Sequence, residues 1–434
     1  MDKSWLKSYP AGVPAEIDVD AYASLVDFFD DCVRRYSRRT VFICMGRAIS
    51  YAELDRLTRD FAAYLQVTLG LRKGARVVLM MPNCLQYPVC LFGVLRAGGT
   101  VVNCNPMYTA PELEHQLNDA GAEVIVILEN FAHVLEQVIA RTPVKQVVTT
   151  QLGDLLGPIK GRLVNFAVKH VRRLVPPWTL PMAKSLPMAL LEGARSRGDN
   201  RCANMPLAPA DLAFLQYTGG TTGVSKGAML SHRNMVANLL QAKSWIAPAL
   251  GEEQQFVVTA LPLYHVFALT ANCLTFMALG AANLLIVDPR DIGGFIKELR
   301  RYPFTALTGV NTLFNALLNH PDFAKLDFSH LRIALGGGMA VQRAVAERWR
   351  QVTGKTLIEA YGLTETSRGV AINPIDLEGF NGEIALPVPS TDIAIRDEAG
   401  HDVPPGEAGE LCVKGPQVMA GYWQRPEETA KVMT

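Results

Sequence analysis

Apolar positions recur at helical and strand spacings, in alternation, along most of the chain. Ser50 and Glu53 stand at capping-box spacing, with Leu54, Leu57, Phe61 and Leu65 following on one helical face. That pattern predicts an amphipathic helix over 51–66. A strand, ARVVLMM, is expected at 75–81, a helix at 86–97, a short apolar run at 100–104, a helix near 111–119 and a strand, EVIVIL, at 123–128. After residue 210 the series restarts, with FLQYT at 213–217, a helix near 232–247, VVTAL at 257–261, a helix near 266–279 and LLIV at 284–287. LRIAL at 331–335 and TLIEAY at 356–361 each run into a glycine-bearing turn, the place where α/β sheets usually hold ligands. Beyond about residue 380, short strands and Pro/Gly turns take over. The predicted class is α/β, with two layered, mostly parallel sheets covered by helices and a small distorted β unit near the C-terminus. The divisions drawn from this pattern are a first αβ subdomain over 1–210, a second over 211–379 that carries the ligand site, and the β unit over 380–434.

The stretch 153–200 breaks the rhythm. Prolines at 158, 176, 177, 181 and 187 bracket one helical pattern, in which Ile159, Leu163, Phe166, Ala167, Val171 and Leu174 share a face opposite Arg162, Lys169, Arg172 and Arg173. A basic amphipathic helix of this kind either rests on anionic lipid or packs its apolar side on the domain and shows its charges to water. Trp178, just beyond, is either an interfacial anchor or local packing.

Composition narrows the classes. The 434 residues carry 42 Lys and Arg against 41 Asp and Glu, a balance that gives no general drive toward nucleic acid. Eight cysteines are scattered without a C-x-x-C pair or a histidine spaced to complete a zinc site, which points to free thiols in a reducing compartment. The start, MDKSWLKSYPAG, lacks the apolar core of a secretory signal, and no run of eighteen apolar residues occurs. A cytoplasmic protein is expected, with peripheral association on the inner face of the cell membrane if the basic helix meets lipid. No heptad seam marks an interface, and a homodimer is compatible with the pattern.

The densest chemistry lies at Tyr217, Thr218, Gly219, Gly220, Thr221, Thr222, Gly223, Val224, Ser225, Lys226, Gly227 and Ala228. Three closely spaced glycines let backbone amides converge, hydroxyls add donors, and Lys226 adds a cation, so the loop suits a polyanion. Its glycines stand at the wrong offsets for a Walker A loop. Gly223 to Gly227 does fit G-x-S-x-G, which would make Ser225 the nucleophile of a serine esterase. An elbow needs a helix directly after the serine. Here AMLSH reads as a second strand before Ser231 and Asn234 start the next helix, so a hairpin is expected.

Five motifs then follow in order: YTGGTTGVSKGAMLSH at 217–232, PLYHV at 262–266, GGGM at 336–339, YGLTET at 361–366 and GELCVKGPQVMAGYW at 409–423. With them the chain resembles the adenylate-forming enzymes, and within that superfamily it looks most like bacterial long-chain fatty acid:CoA ligases. The resemblance implies a two-step reaction, in which a long-chain fatty acid and ATP give acyl-AMP and coenzyme A then displaces AMP. It implies that residues 217–228 hold the β- and γ-phosphates, with Lys226 catalytic. Tyr361 would stack on adenine, with Glu359, Ala360 and Gly362 beside it. Thr364 would bind the α-phosphate and Glu365 the Mg²⁺ ion, while Gly336, Gly337 and Gly338 lie against adenine and the acyl carbonyl. His265 would stand near the carboxylate, with Phe267, Leu269, Phe276 and Phe314 as candidate walls of an apolar tunnel. A non-catalytic acyl- or membrane-binding module is the alternative from another class.

Two departures stand out. The sequence given ends at Arg425–Thr434, before the family's Gly-Asp motif and mobile C-terminal domain, which carries a second lysine; both half-reactions are therefore expected to be weak in this polypeptide. Ala385 occupies the second glycine of the family's G-x-I-G-x-P pattern.

Overall fold

A computed structural model of the chain describes residues 3–199, 205–218 and 225–433. Two large sheets are stacked with helices between and outside them. The first has seven strands, ordered Ala183–Ser185, Gln146–Thr150, Val124–Leu128, Arg76–Met80, Thr100–Asn103, Leu212–Thr218 and Lys226–Ser231, parallel except for the last. The second has nine, from Leu386–Pro387 through Ala371–Ile372, Leu357–Tyr361, Ile333–Gly337, Ala306–Gly309, Phe256–Thr259, Ala282–Leu285 and Thr40–Cys44 to Arg47–Ser50. Asp392–Arg396 and Glu410–Lys414 make the separate antiparallel pair anticipated near the C-terminus.

The sheets interleave along the sequence. Strands from 212–231 complete the sheet begun at Arg76, and strands from 40–50 join the one begun at Phe256, so a boundary at 210 divides the chain but not the sheets. Alternation within each strand explains the layering. Val77 and Leu79 point into the core between the sheets, whereas Val78 and Met80 point to helices on the outer face of the first sheet. Val257 and Val258 divide in the same way about the second.

The central helices pack closely where side chains are smallest. Helix Tyr51–Ala63 meets helix Gln86–Arg96 at Gly93, where a Cβ would lie 2.7 Å from the Phe61 ring. Fully burying Phe61 there contributes roughly 2–3 kcal/mol, and a methyl group at Gly93 would displace it. Only half of the expected capping box forms at this helix. The Ser50 hydroxyl accepts from the Glu53 amide, but the Glu53 carboxylate turns to Arg47. At Thr109 the Glu112 carboxylate accepts from the Thr109 amide, and the box with both bonds forms at Ser231 and Asn234.

The connector runs as helix Pro158–Phe166, continued by a π-helical turn over Ala167–Val171. Its apolar stripe faces outward, with Ile159 76% and Phe166 60% exposed and Leu163, Val171 and Leu174 also open. The domain is met instead by Gly161, which is buried where a Cβ would lie 2.3 Å from the Gly153 carbonyl oxygen. The reading in which the apolar side packs inward is thereby corrected. Trp178 packs on the outer core of the first sheet rather than standing free.

Cys32, Cys44, Cys84, Cys90, Cys104, Cys273 and Cys412 are free, and all but Cys412 are buried; Cys202 lies outside the described residues. No described helix is long and apolar enough to cross a membrane.

Candidate functional site

The glycine/threonine loop closes a hairpin. Leu212–Thr218 and Lys226–Ser231 pair antiparallel down to Thr218 opposite Lys226, and a capping box between Ser231 and Asn234 then opens helix His232–Ile246. Gly219, Gly220, Thr221, Thr222, Gly223 and Val224 lie outside the described residues. At the stem the Ser225 hydroxyl donates to the Thr218 carbonyl oxygen at 2.7 Å, while the His115 ring approaches the Ser225 carbonyl rather than its hydroxyl. A strand follows the serine and no imidazole among the described residues meets its hydroxyl, so the elbow geometry is absent.

Tyr217 is tied down from outside the hairpin. Its hydroxyl donates to Asp119 at 2.7 Å, and burial, reinforced by that carboxylate, pushes the phenol well above its usual range. Asp119 also receives Arg425 at 2.6 Å, and its carbonyl accepts from the Trp423 indole. The segment 420–423 runs alongside the second hairpin strand, linking Ala420 and Gly421 to Met229 and Trp423 to Gly227. The edge strand is thus covered rather than exposed.

A polar cleft of about 1350 Å³ opens above these strand ends. It brings together Tyr217, Thr218, Lys226, His265, Gly338, Gly362, Thr364 and Glu365. Gly227, Ala228, Gly336 and Gly337 do not line it; they lie within strands behind it, Ala228 in the core and Gly227 under the Tyr217 ring. Glu359 accepts from the Val341 amide at 3.2 Å with one oxygen, its other oxygen unpaired, and burial raises its pKa. Ala360 and Tyr361 face a second, apolar pocket, together with Phe267 and Phe276. Of the proposed tunnel walls, Leu269 and Phe314 belong to ordinary core instead.

The histidine loop is held by the first sheet. The Asn83 amide donates to the carbonyls of Thr259 and Leu261 at 2.9 Å, and its oxygen accepts from the Leu263 amide at 2.8 Å. The Tyr87 hydroxyl lies 2.8 Å from the Leu263 carbonyl, and the Gln216 amide donates to the Tyr264 carbonyl at 2.9 Å. Burial, aided by the nearby Arg368 charge, lowers the His265 pKa and keeps the ring neutral. Its Nδ1 accepts from the Phe267 amide at 3.3 Å, so the ring proton sits on Nε2, the nitrogen left free to donate.

Two further residues shape the Lys226 side of the cleft. The Tyr422 hydroxyl donates to Glu365 at 2.6 Å, and the Lys226 ammonium lies 5.0 Å from the centre of the Tyr422 ring. Glu428, on helix Pro426–Val432, forms an ion pair with Lys226 and a second with Lys431. Glu365 leaves its second carboxylate oxygen available at the cleft, a hard donor suited to Mg²⁺ when phosphate and water complete the coordination. The sequence reading missed Asn83, Asp119 and Tyr422, because each acts across more than fifty residues.

Comparison with known proteins gives the class. The AMP-binding enzyme family model matches residues 29–423, and the chain belongs to that family. Within it, the chain is 58% identical over 433 residues to a long-chain-fatty-acid–CoA ligase of Escherichia coli, spanning 100% of this chain and 76% of the relative. It is 52% identical over 437 residues to the enzyme of the same description from Haemophilus influenzae, spanning 77% of that relative. The fold is also that of a crystallised long-chain-fatty-acid-CoA ligase from Archaeoglobus fulgidus, with TM-score 0.80 at 23% identity over 98% of this chain and 80% of the other.

Proposed function

We propose that the protein activates long-chain fatty acids with ATP, forming acyl-AMP and pyrophosphate, and passes the acyl group to the thiol of coenzyme A. The observation that carries this reading is a polar cleft edged by Lys226 and Glu365 that shares the wall residue Arg368 with an apolar pocket edged by Phe267 and Phe276. An amphiphile spanning both presents its carboxylate to a nucleotide. Neither step needs a protein nucleophile, so the residues act by positioning and by stabilising charge. Lys226 and the Thr218 hydroxyl hold the outer phosphates, Thr364 the α-phosphate, and Nε2 of neutral His265 donates toward the carboxylate. Glu365 would hold Mg²⁺, which when bound neutralises charge on the phosphate oxygens. Calorimetry with a non-hydrolysable palmitoyl-adenylate analogue is expected to show binding, and palmitate should drive exchange of pyrophosphate into ATP. Absence of analogue binding would refute the assignment.

The outward face of the connector supports a second element of this reading, docking on an anionic bilayer that holds the substrate. Residues 155–191 contain Lys160, Arg162, Lys169, Arg172, Arg173 and Lys184 but no Asp or Glu, beside the exposed Ile159, Leu163, Phe166 and Leu174. Sedimentation with phosphatidylglycerol vesicles should carry the protein down, and R172E/R173E should abolish this. Equal sedimentation of the variant, or of wild type with neutral vesicles, refutes it.

A further inference from the structure

Among the described residues, Arg368 alone faces both the polar cleft and the apolar pocket. Its side chain is nearly closed off, at 6% exposure for the residue. Nη1 donates to the Gly362 carbonyl at 3.2 Å, the guanidinium lies 3.7 Å from the centre of the Phe267 ring, and Nη2 has no hydrogen-bond partner. Burial lowers its pKa to about 10, so the group remains a cation at neutral pH. No carboxylate among the described residues pairs with it. A buried charge without a counter-charge is strongly unfavourable, and folds rarely keep one without a use.

The backbone is arranged to keep this side chain in place. Arg368 sits at φ +112°, in the region that favours glycine, following Ser367 at φ +53°. A Cβ on Gly362 would lie 1.4 Å from the Arg368 carbonyl oxygen, and one on Gly337 would lie 2.3 Å from Nη2. Glycines that the sequence suggested as clearance for a ligand thus clear space for this arginine. The apolar pocket behind it has room for only about 40 Å³, well short of the roughly 300 Å³ or more of an open ligand pocket. An acyl chain therefore enters only as the side chains at its mouth give way.

We propose that Arg368 is the carboxylate-binding residue of the acyl site, with its free Nη2 edge receiving the headgroup of a fatty acid whose chain occupies the apolar pocket. The inference rests on the fatty-acid reading above. Carboxylate is favoured over phosphate by position. Thr218, Lys226, Thr364 and Glu365 line the cleft alone, whereas Arg368 stands where an amphiphile changes from charged to apolar. The neutral His265 beside it adds a donor without adding repulsion.

The test measures binding of palmitate and of hexadecanol, its uncharged counterpart, to wild type, R368Q and R368K, with ATP binding followed in parallel. Wild type should prefer the acid. R368Q should lose about 10- to 100-fold in palmitate affinity, the worth of a charge-assisted hydrogen bond, with hexadecanol and ATP changed less than about threefold. R368K should recover part of the loss. R368Q binding palmitate as wild type does, or losing ATP in step with palmitate, overturns the proposal. If R368Q does not fold, R368K and wild type decide it: wild type binding hexadecanol as tightly as palmitate overturns it too. Wild type that binds no palmitate overturns the fatty-acid reading itself, whereas wild-type binding matched by R368Q overturns only the role of Arg368.

Discussion

His232 makes the base of the hairpin sensitive to acid. It follows strand Lys226–Ser231 directly and begins helix His232–Ile246, and its Nδ1 accepts from the Leu25 amide at 3.2 Å. Burial lowers its pKa from the usual 6.5 to about 4; the Asp211 carboxylate opposes that shift and Lys73 adds to it. Between those two values the unfolded chain takes up a proton that the fold refuses, so stability falls as pH drops through this window. From pH 7 to pH 5 the linkage amounts to about 1.8 kcal/mol, and the full window is worth about 3.4 kcal/mol. Carboxylates stay mostly ionised above pH 5, which leaves this interval to histidines. The perturbation is His232→Asn, which keeps an acceptor near the Nδ1 position but cannot titrate. Urea unfolding at pH 7 and pH 5 should show the variant losing about 1.8 kcal/mol less than wild type over the interval. Equal losses in the two proteins would refute the reasoning, since His265 and the other histidines are common to both.

Three further outcomes follow from the site and its surroundings. Gly362→Ala should cost about 2–3 kcal/mol in urea, because its methyl group meets the Arg368 carbonyl oxygen at 1.4 Å; a variant as stable as wild type would contradict that packing. Ala385→Gly should stabilise the fold by about 1 kcal/mol, since Ala385 sits at φ +102°, and an unchanged melting temperature would count against strain there. Glu428→Gln frees Lys226 from its ion pair, and the KM for ATP should fall about two- to fivefold; a rise would mean that Glu428 presents the lysine instead of competing for it.

Local signals were legible in the chain wherever one element decided the outcome. The run AMLS after Lys226 fixed the hairpin and removed the nucleophile elbow, because a strand cannot also be the helix that an elbow requires. Ala385, standing where a glycine was expected, proved to hold a positive φ. Assignment of strands to sheets was not legible, since Thr40–Cys44 and Leu212–Thr218 look alike in pattern yet join opposite sheets through pairings more than a hundred residues distant. The helical wheel of the connector gave the right stripe but not its direction. That was decided by Gly161 fitting under Gly153, a close approach no periodicity reports. Arg368 was passed over for a related reason. In sequence an arginine defaults to a solvated charge, and only the folded junction of two cavities makes it a buried one.

The knot at Asp119 bears on the order in which the molecule is made. Tyr217, Trp423 and Arg425 all converge on that one residue, and residues 420–423 close the open edge of the hairpin. On the ribosome both sheets can pair before residues 420–425 emerge, but the stem of the hairpin stays unclamped until they do. The nascent chain thus pairs both sheets before it ties down the stem that carries Tyr217 and Lys226.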